Sequence, residues 1–251
     1  MDIRKAMQMK KHPSDRVMGT TVLSGTRRRL AQGLAVCAVL AGLGGAFLVP
    51  QQASAAAPLP NAAMDLPESG QQVVVLAGGC FWGMQSVFEH VKGVSKVTAG
   101  YAGGTQDTAD YETVSSGTTG HAESVQIYYD PSQISFGQLL KIYFQVAHDP
   151  TELDRQGPDT GTQYRSAIFF STPEQQQVAK AYIAQLDQSK AFPDPIVTEI
   201  DPLKGFYPAE GYHQHYADQH PTDMYIMIND APKLQALQDE LPTFYVSASA
   251  Q

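Results

Sequence analysis

Residues 73–91 constrain the chain most. Val73-Val74-Val75-Leu76-Ala77 reads as a buried strand, and Met84 to Val91 reads as a helix with Val87, Phe88 and Val91 on one face. Gly79-Cys80-Phe81-Trp82-Gly83 lies between them. The chain must therefore pass from strand to helix within a few residues, with Cys80 at the turn. A helix N-terminus presents unpaired N–H groups and a partial positive charge. That position favours thiolate, the reactive form of cysteine, over thiol. An ordinary thiol of pKa about 8.5 is only roughly 3 % ionised at pH 7, whereas a pKa of about 6 would make it roughly 90 % ionised.

The second cysteine, Cys37, belongs to a different kind of sequence. Arg27-Arg28-Arg29 precedes Leu30 to Val49, an apolar run with four glycines, and Ala53-Ser54-Ala55 follows. Basic region, apolar region and small-residue site in that order make residues 1–55 an export signal expected to be cleaved. The arginines also resemble those of a twin-arginine signal. The expected location is periplasmic or secreted. The alternative is a membrane anchor, if this N-terminal segment stays uncleaved. Residues 1–55 hold eight basic and two acidic side chains of the 17 and 25 in the chain, leaving nine against 23, a net of −14. So acidic a remainder is a poor match for nucleic acid, because little would neutralise phosphates. Cys80, alone after cleavage, is inert, paired between chains, or reactive.

Residues 56–70 read as a flexible lead-in and 71–251 as the working domain. Val94–Tyr101 reads as a second strand, and Thr105–Gly120 as a polar loop. Glu123 to Asp130 alternates as a strand and stops at Asp130-Pro131. Ser135 with Gln138 forms a capping-box pattern opening a helix over 136–147. A loop, 148–163, leads to a strand over 164–171. Thr172-Pro173 then starts a helix to about Ser189. A strand at 196–200 and a helix at 232–241 complete the reading. The order β-α-β, β-α-β predicts an α+β fold: a split βαβ (ferredoxin-like) two-layer sandwich with C-terminal additions. Fold alone does not assign function.

Four polar clusters accompany Cys80. They are Asp110-Tyr111-Glu112, Gly120-His121-Ala122-Glu123, the segment Gly157 to Ser166 that includes Asp159 and Tyr164, and Ala209 to Tyr216. Together with Gly79-Cys80-Phe81-Trp82-Gly83 and Gly161-Thr162-Gln163-Tyr164-Arg165-Ser166, they resemble the peptide methionine sulfoxide reductase A family from about Gln72 to the C-terminus. The resemblance implies thiol-dependent reduction of the S epimer of methionine sulfoxide, free or within proteins, and so repair of oxidised proteins. It implies that Cys80 attacks the sulfoxide sulfur and becomes a sulfenic acid. Glu123 would donate a proton to the sulfoxide oxygen, which Tyr111 and Tyr164 would hydrogen-bond. Phe81 and Trp82 would wall in the substrate methyl, and Asp159 would support the site and its regeneration.

The chemistry agrees with these roles. A sulfoxide oxygen leaves poorly unless protonated, so the nucleophile needs an acid beside it. Glu123 stays protonated near neutrality only if desolvated. An ionised Glu123 would also disfavour a Cys80 thiolate, so the pair is expected to share its charge, the thiolate forming once substrate enters. Many relatives carry further cysteines near the C-terminus; Pro221 to Gln251 has none. The expected reductant is therefore an external thiol, a thioredoxin-like protein or glutathione, with no bound cofactor and a monomeric enzyme. Competing readings are a cysteine hydrolase or acyl transferase using His121 or His148 as base, and a non-enzymatic thiol-linked or metal-binding module. His213, His215 and His220 are expected to pack or cap locally, since no cysteine nearby completes a metal set.

Overall fold

The computed structural model describes residues 58–67 and 70–247, and the expected export signal lies outside them. The folded unit is built on β1 (Gln72–Gly78), β2 (Val94–Ala102), β3 (Ala122–Tyr129), β6 (Ser166–Phe170), β7 (Glu199–Pro202) and β8 (Phe206–Pro208). These form one six-stranded sheet in the order β7-β6-β1-β3-β2-β8. All neighbours are antiparallel except β6 and β7, so the sheet is mixed. A separate two-stranded hairpin pairs β4 (Arg155–Gln156) with β5 (Asp159–Thr160). Among the described residues the α-helices are α1 (Phe81–Glu89), α2 (Tyr111–Val114), α3 (Phe136–Ile142), α4 (Pro173–Gln188), α5 (Tyr216–Gln219) and α6 (Ala231–Glu240). The fold is α+β.

The apolar run of β1 alternates between two buried faces. Val74 and Leu76 join the main core, while Val75 and Ala77 join a smaller cluster on the opposite face. Burial on both faces explains why the run is continuously apolar rather than alternating with polar residues. The main core takes Phe81, Met84, Val87 and Phe88 from α1, Leu139 and Leu140 from α3, Val178 and Tyr182 from α4, and Leu237 from α6. Helices therefore cover one face. The other is lined by small residues, Ala77, Ala102, Ala122 and Ala167, under Phe169 and Phe206.

Helix starts follow their capping residues. Ser135 and Gln138 make both bonds of a capping box, and Thr172 Oγ1 accepts from the Gln175 N–H ahead of Pro173. The helix expected to run to Ala147 becomes a π-helical turn at Tyr143–Ala147. Several expectations are corrected. The loop at 105–120 holds α2, started by Asp110 accepting from the Thr113 N–H. Helix α1 begins at Phe81, three residues before the apolar periodicity becomes visible. Residues 58–67, expected as a flexible lead-in, lie against α3 and α4. Tyr182 Oη donates to the Pro60 carbonyl at 2.7 Å, and Gly137 N–H donates to Asp65 Oδ1 at 2.9 Å. Among the described residues no helix is long and apolar enough to cross a membrane.

Candidate active site

Gly78-Gly79 allows the strand-to-helix turn to be tight. Gly79 has φ +87°, and a methyl there would lie 2.6 Å from Gln156 Cβ. Cys80 follows as the N-cap of α1 and is 8 % exposed. The next backbone N–H, that of Phe81, donates to Glu123 Oε2 at 3.1 Å. One orphan amide of the helix start thus anchors a carboxyl group beside the cysteine. Glu123 stands on β3 opposite Tyr101 of β2 and is 3 % exposed.

Burial governs the charges here. Desolvation pushes the Glu123 carboxyl up to about 8, with Asp159 and Asp230 adding to it and the Phe81 amide opposing. At neutral pH most of this group is the protonated acid. Cys80 is also pushed well above the ordinary thiol range, first by burial and then by Glu123 and Asp230. The Trp82 backbone amide and Lys233 oppose the rise. The amide at the helix start favours ionisation, but desolvation exceeds it, so the resting group is the thiol. Tyr111 is raised to about 12 by burial, Glu123 and Cys80, and Tyr164 is raised further by burial, Glu123 and Asp159. Both phenols are therefore neutral donors near the acid and the thiol.

Phe81 and Trp82 divide their work. Phe81 is 1 % exposed and packs at 5.8 Å from Tyr101 and 5.0 Å from His213, ring centre to ring centre. Trp82 remains partly exposed, stacks on Tyr216 at 3.8 Å, and meets Tyr225 edge-on. Its indole N–H donates to His213 Nδ1 at 3.1 Å. Desolvation holds His213 down to about 4, so the ring is neutral with its remaining proton on Nε2, 3.9 Å from Glu210 Oε2. Glu210 in turn accepts from Tyr101 Oη and the Tyr111 N–H, both at 2.9 Å. Asp159, on β5, accepts a hydrogen bond from Tyr225 Oη.

Electrostatic proximity thus joins Cys80, Glu123, Tyr111 and Tyr164, with Asp159 close to Glu123. Phe81 and Trp82 follow Cys80 in the first turn of α1. Sequence reasoning quoted Glu210 without giving it a role, expected His213 only to pack or cap locally, and passed over Tyr225, Asp230 and Lys233 entirely. Those three come from the C-terminal segment, about 150 residues from Cys80 in the chain, and no local pattern announces their arrival. The hydrolase reading fails on geometry. His121 bonds Gly104 N–H and the Thr105 carbonyl, while His148 bonds Ser166 Oγ and the Tyr143 carbonyl. Neither ring has a nitrogen left to serve Cys80. Among the described residues no group of three or more His, Cys, Asp or Glu could hold a metal.

The family model described as peptide methionine sulfoxide reductase matches residues 72–243. A peptide methionine sulfoxide reductase MsrA 2 of Mesorhizobium japonicum is 57 % identical over 176 residues, 70 % of this chain and 90 % of that one. Its counterpart from Synechocystis is 54 % identical over 171 residues, 68 % of this chain and 80 % of that one. The crystal structure of reduced Mxr1 from Saccharomyces cerevisiae superposes with a TM-score of 0.55 at 32 % identity, covering 64 % of this chain and 92 % of that one. The methionine sulfoxide reductase A of Corynebacterium diphtheriae gives 0.53 at 35 % identity, covering 66 % and 84 %. With a thiol, a buried protonated carboxyl and an aromatic wall meeting at one helix start, and with these likenesses beside them, the chain belongs to the peptide methionine sulfoxide reductase family, in its MsrA branch.

Proposed function

We propose that this peptide-methionine (S)-S-oxide reductase works by nucleophilic attack of Cys80 on the sulfoxide sulfur, with Glu123 as the acid. Glu123 protonates the departing oxygen, and Tyr111 and Tyr164 hold that oxygen as neutral donors. Trp82, with Phe81 behind it, receives the methyl group, which suits the soft contact of sulfur and its substituents with aromatic faces. Asp159 orients this end of the site through Tyr225. The observation that carries the reading is the carboxyl of Glu123, desolvated to about 8 and tied to the amide next to Cys80. Cys80 is oxidised to the sulfenic acid as the sulfoxide becomes a thioether.

Regeneration falls to an external thiol, a thioredoxin-like protein or glutathione, and no bound cofactor takes part. The support is that the sequence after Cys80 contains no further cysteine to form a disulfide with it. The enzyme acts as a monomer, on methionine sulfoxide free or within oxidised proteins. Residues 1–55 direct export to the periplasm or outside the cell, and 71–251 are the catalytic domain. The central strands support a split βαβ (ferredoxin-like) core, since β3 lies between β1 and β2 and β1 lies between β3 and β6.

Racemic methionine sulfoxide with a dithiol reductant tests the reaction. Only the S epimer should disappear, and Cys80→Ser should remove all turnover. Consumption of both epimers, or a serine variant as fast as its parent, would refute the assignment. N-terminal sequencing of the exported protein tests the leader, with the first residue expected just beyond Ala55.

A further inference from the structure

Attack by Cys80 raises a question of proton balance. The thiol is buried and protonated at rest, so its proton must leave before or as the S–O bond is attacked. Glu123 already carries the proton it must give away. Another group has to take the thiol proton, and burying a net negative charge would be costly.

Asp230 is such a group. It ends the π-helical turn Ile226–Asp230, caps α6, and is 2 % exposed. Its Oδ1 pairs with Lys233 Nζ at 3.1 Å, while its Oδ2 is buried without a hydrogen-bond partner. The pair packs on Gly83, in the first turn of the helix that Cys80 caps. A methyl at Gly83 would come within 2.1 Å of Asp230 Oδ1 and 3.0 Å of Lys233 Nζ. No larger residue at that position would let the carboxylate reach the foot of α1.

We propose that Asp230 holds the proton released by Cys80 during attack, and that Lys233 keeps Asp230 ionised and receptive until then. The proposal rests on Glu123 being the protonated acid. The S–H bond breaks, its electron pair stays on sulfur, and an O–H bond forms on Oδ2 of Asp230. The thiolate then forms an S–S bond to the sulfoxide sulfur as Glu123 protonates the oxygen. The sulfoxide S–O bond breaks, the hydroxyl passes to the Cys80 sulfur, and the S–S bond breaks with its electron pair on the thioether sulfur. Cys80 loses two electrons in becoming the sulfenic acid, and the sulfoxide gains two in becoming the thioether. The step leaves Asp230 protonated and Glu123 ionised, so the net charge of the site never changes, and return of the proton from Asp230 to Glu123 restores the starting state.

The surrounding groups fit this role. Burial raises the Asp230 carboxyl above the usual range, Asp159 adds to the rise, and Lys233 opposes it. Cys80 feels Glu123 and Asp230 as repulsion and Lys233 as attraction. Tyr225, the residue that caps the start of that π-helical turn, faces Cys80, Asp159 and Asp230 as a neutral phenol. Tyr111 and Tyr164 also face Cys80 as neutral phenols, as does Tyr216 of α5. His148 is pushed down to about 4, chiefly by burial with Lys233 adding to it, so it adds no positive charge near neutrality.

The test is a single turnover, enzyme in excess over methionine sulfoxide, followed as methionine formed at pH 5 to 9. Asp230→Asn should bind substrate as the parent does yet lose about a hundredfold in rate at pH 7, the range of one general acid–base group. That loss should shrink as pH rises and hydroxide takes the thiol proton, and Asp230→Glu should recover much of the rate. A parental rate in Asp230→Asn, or a loss equal at every pH, would overturn the proposal. Lys233→Met gives a second readout that survives if Asp230→Asn does not fold. Without the cation Asp230 holds its proton to higher pH, so the acid limb of the profile should move upward. An unmoved acid limb would also overturn it. Failure of the underlying acid assignment has its own mark, Glu123→Gln turning over like its parent.

Discussion

Glu123 illustrates at residue scale how a site can oppose the fold that carries it. A carboxyl in water titrates near the ordinary carboxylate value, whereas here desolvation lifts it to about 8. Between those two values the folded chain holds a proton that the unfolded chain has released. Stability contributed by this group is therefore full below the unfolded pKa and lost as pH rises through the folded one. Glu123→Gln removes the titration while keeping the amide-accepting oxygen. It should raise the melting temperature, by a margin that grows from pH 5 to pH 8, while losing most of the single-turnover rate. The parent's rate should fall above about pH 8, where the acid ionises. A variant whose stability gain is the same at pH 5 and pH 8 would contradict this account. Cys80 follows similar logic. Its raised pKa means that iodoacetamide should label it more slowly at pH 7 than an exposed cysteine, as measured by mass spectrometry.

Elements record how far local patterns can be trusted. Strand β1 and the starts of α3 and α4 are legible, because a β-branched run, a capping box and a Thr-Pro cap act over neighbouring residues. The start of α1 is less so. Phe81 and Trp82 join the helix because they pack on His213, Tyr101 and Tyr216, which no periodicity within α1 can reveal. The segment before β1 shows the same limit. Its Ala, Pro and Asn content suggests a tether, yet Asp65 accepts from the Gly137 N–H and from Ser135 Oγ at the start of α3, where a negative charge is favourable. Asp65→Ala should destabilise the protein by about 1 kcal/mol in urea denaturation. An unchanged midpoint would mean that the contact contributes nothing to stability.

At the scale of the whole molecule, the proposed cycle turns on the cysteine count after Cys80. With no cysteine after Cys80, one turnover without reductant should leave a sulfenic acid that dimedone traps on Cys80, and mass spectrometry should find no intrachain disulfide. A disulfide would return regeneration to the chain itself. Cleavage after Ala55 would leave the docked 58–67 segment attached, so export and folding need not compete for the same residues.

The strand and the turn that holds Cys80 are written locally, since backbone sterics, alternation and capping depend on residues a few positions apart. The seven side chains expected at the site, Cys80, Phe81, Trp82, Tyr111, Glu123, Asp159 and Tyr164, each lie in a short distinctive segment, and it is these segments that carry the family resemblance. The protonation states of those side chains are not written locally. Whether Cys80 rests as thiol, whether Glu123 keeps its proton, and whether Asp230 stands beside them depend on how much water the assembled sheet and helices exclude. They depend equally on which distant charges the chain's last quarter brings to the start of α1. Desolvation and Coulomb energy act through space, and only the folded chain specifies those distances.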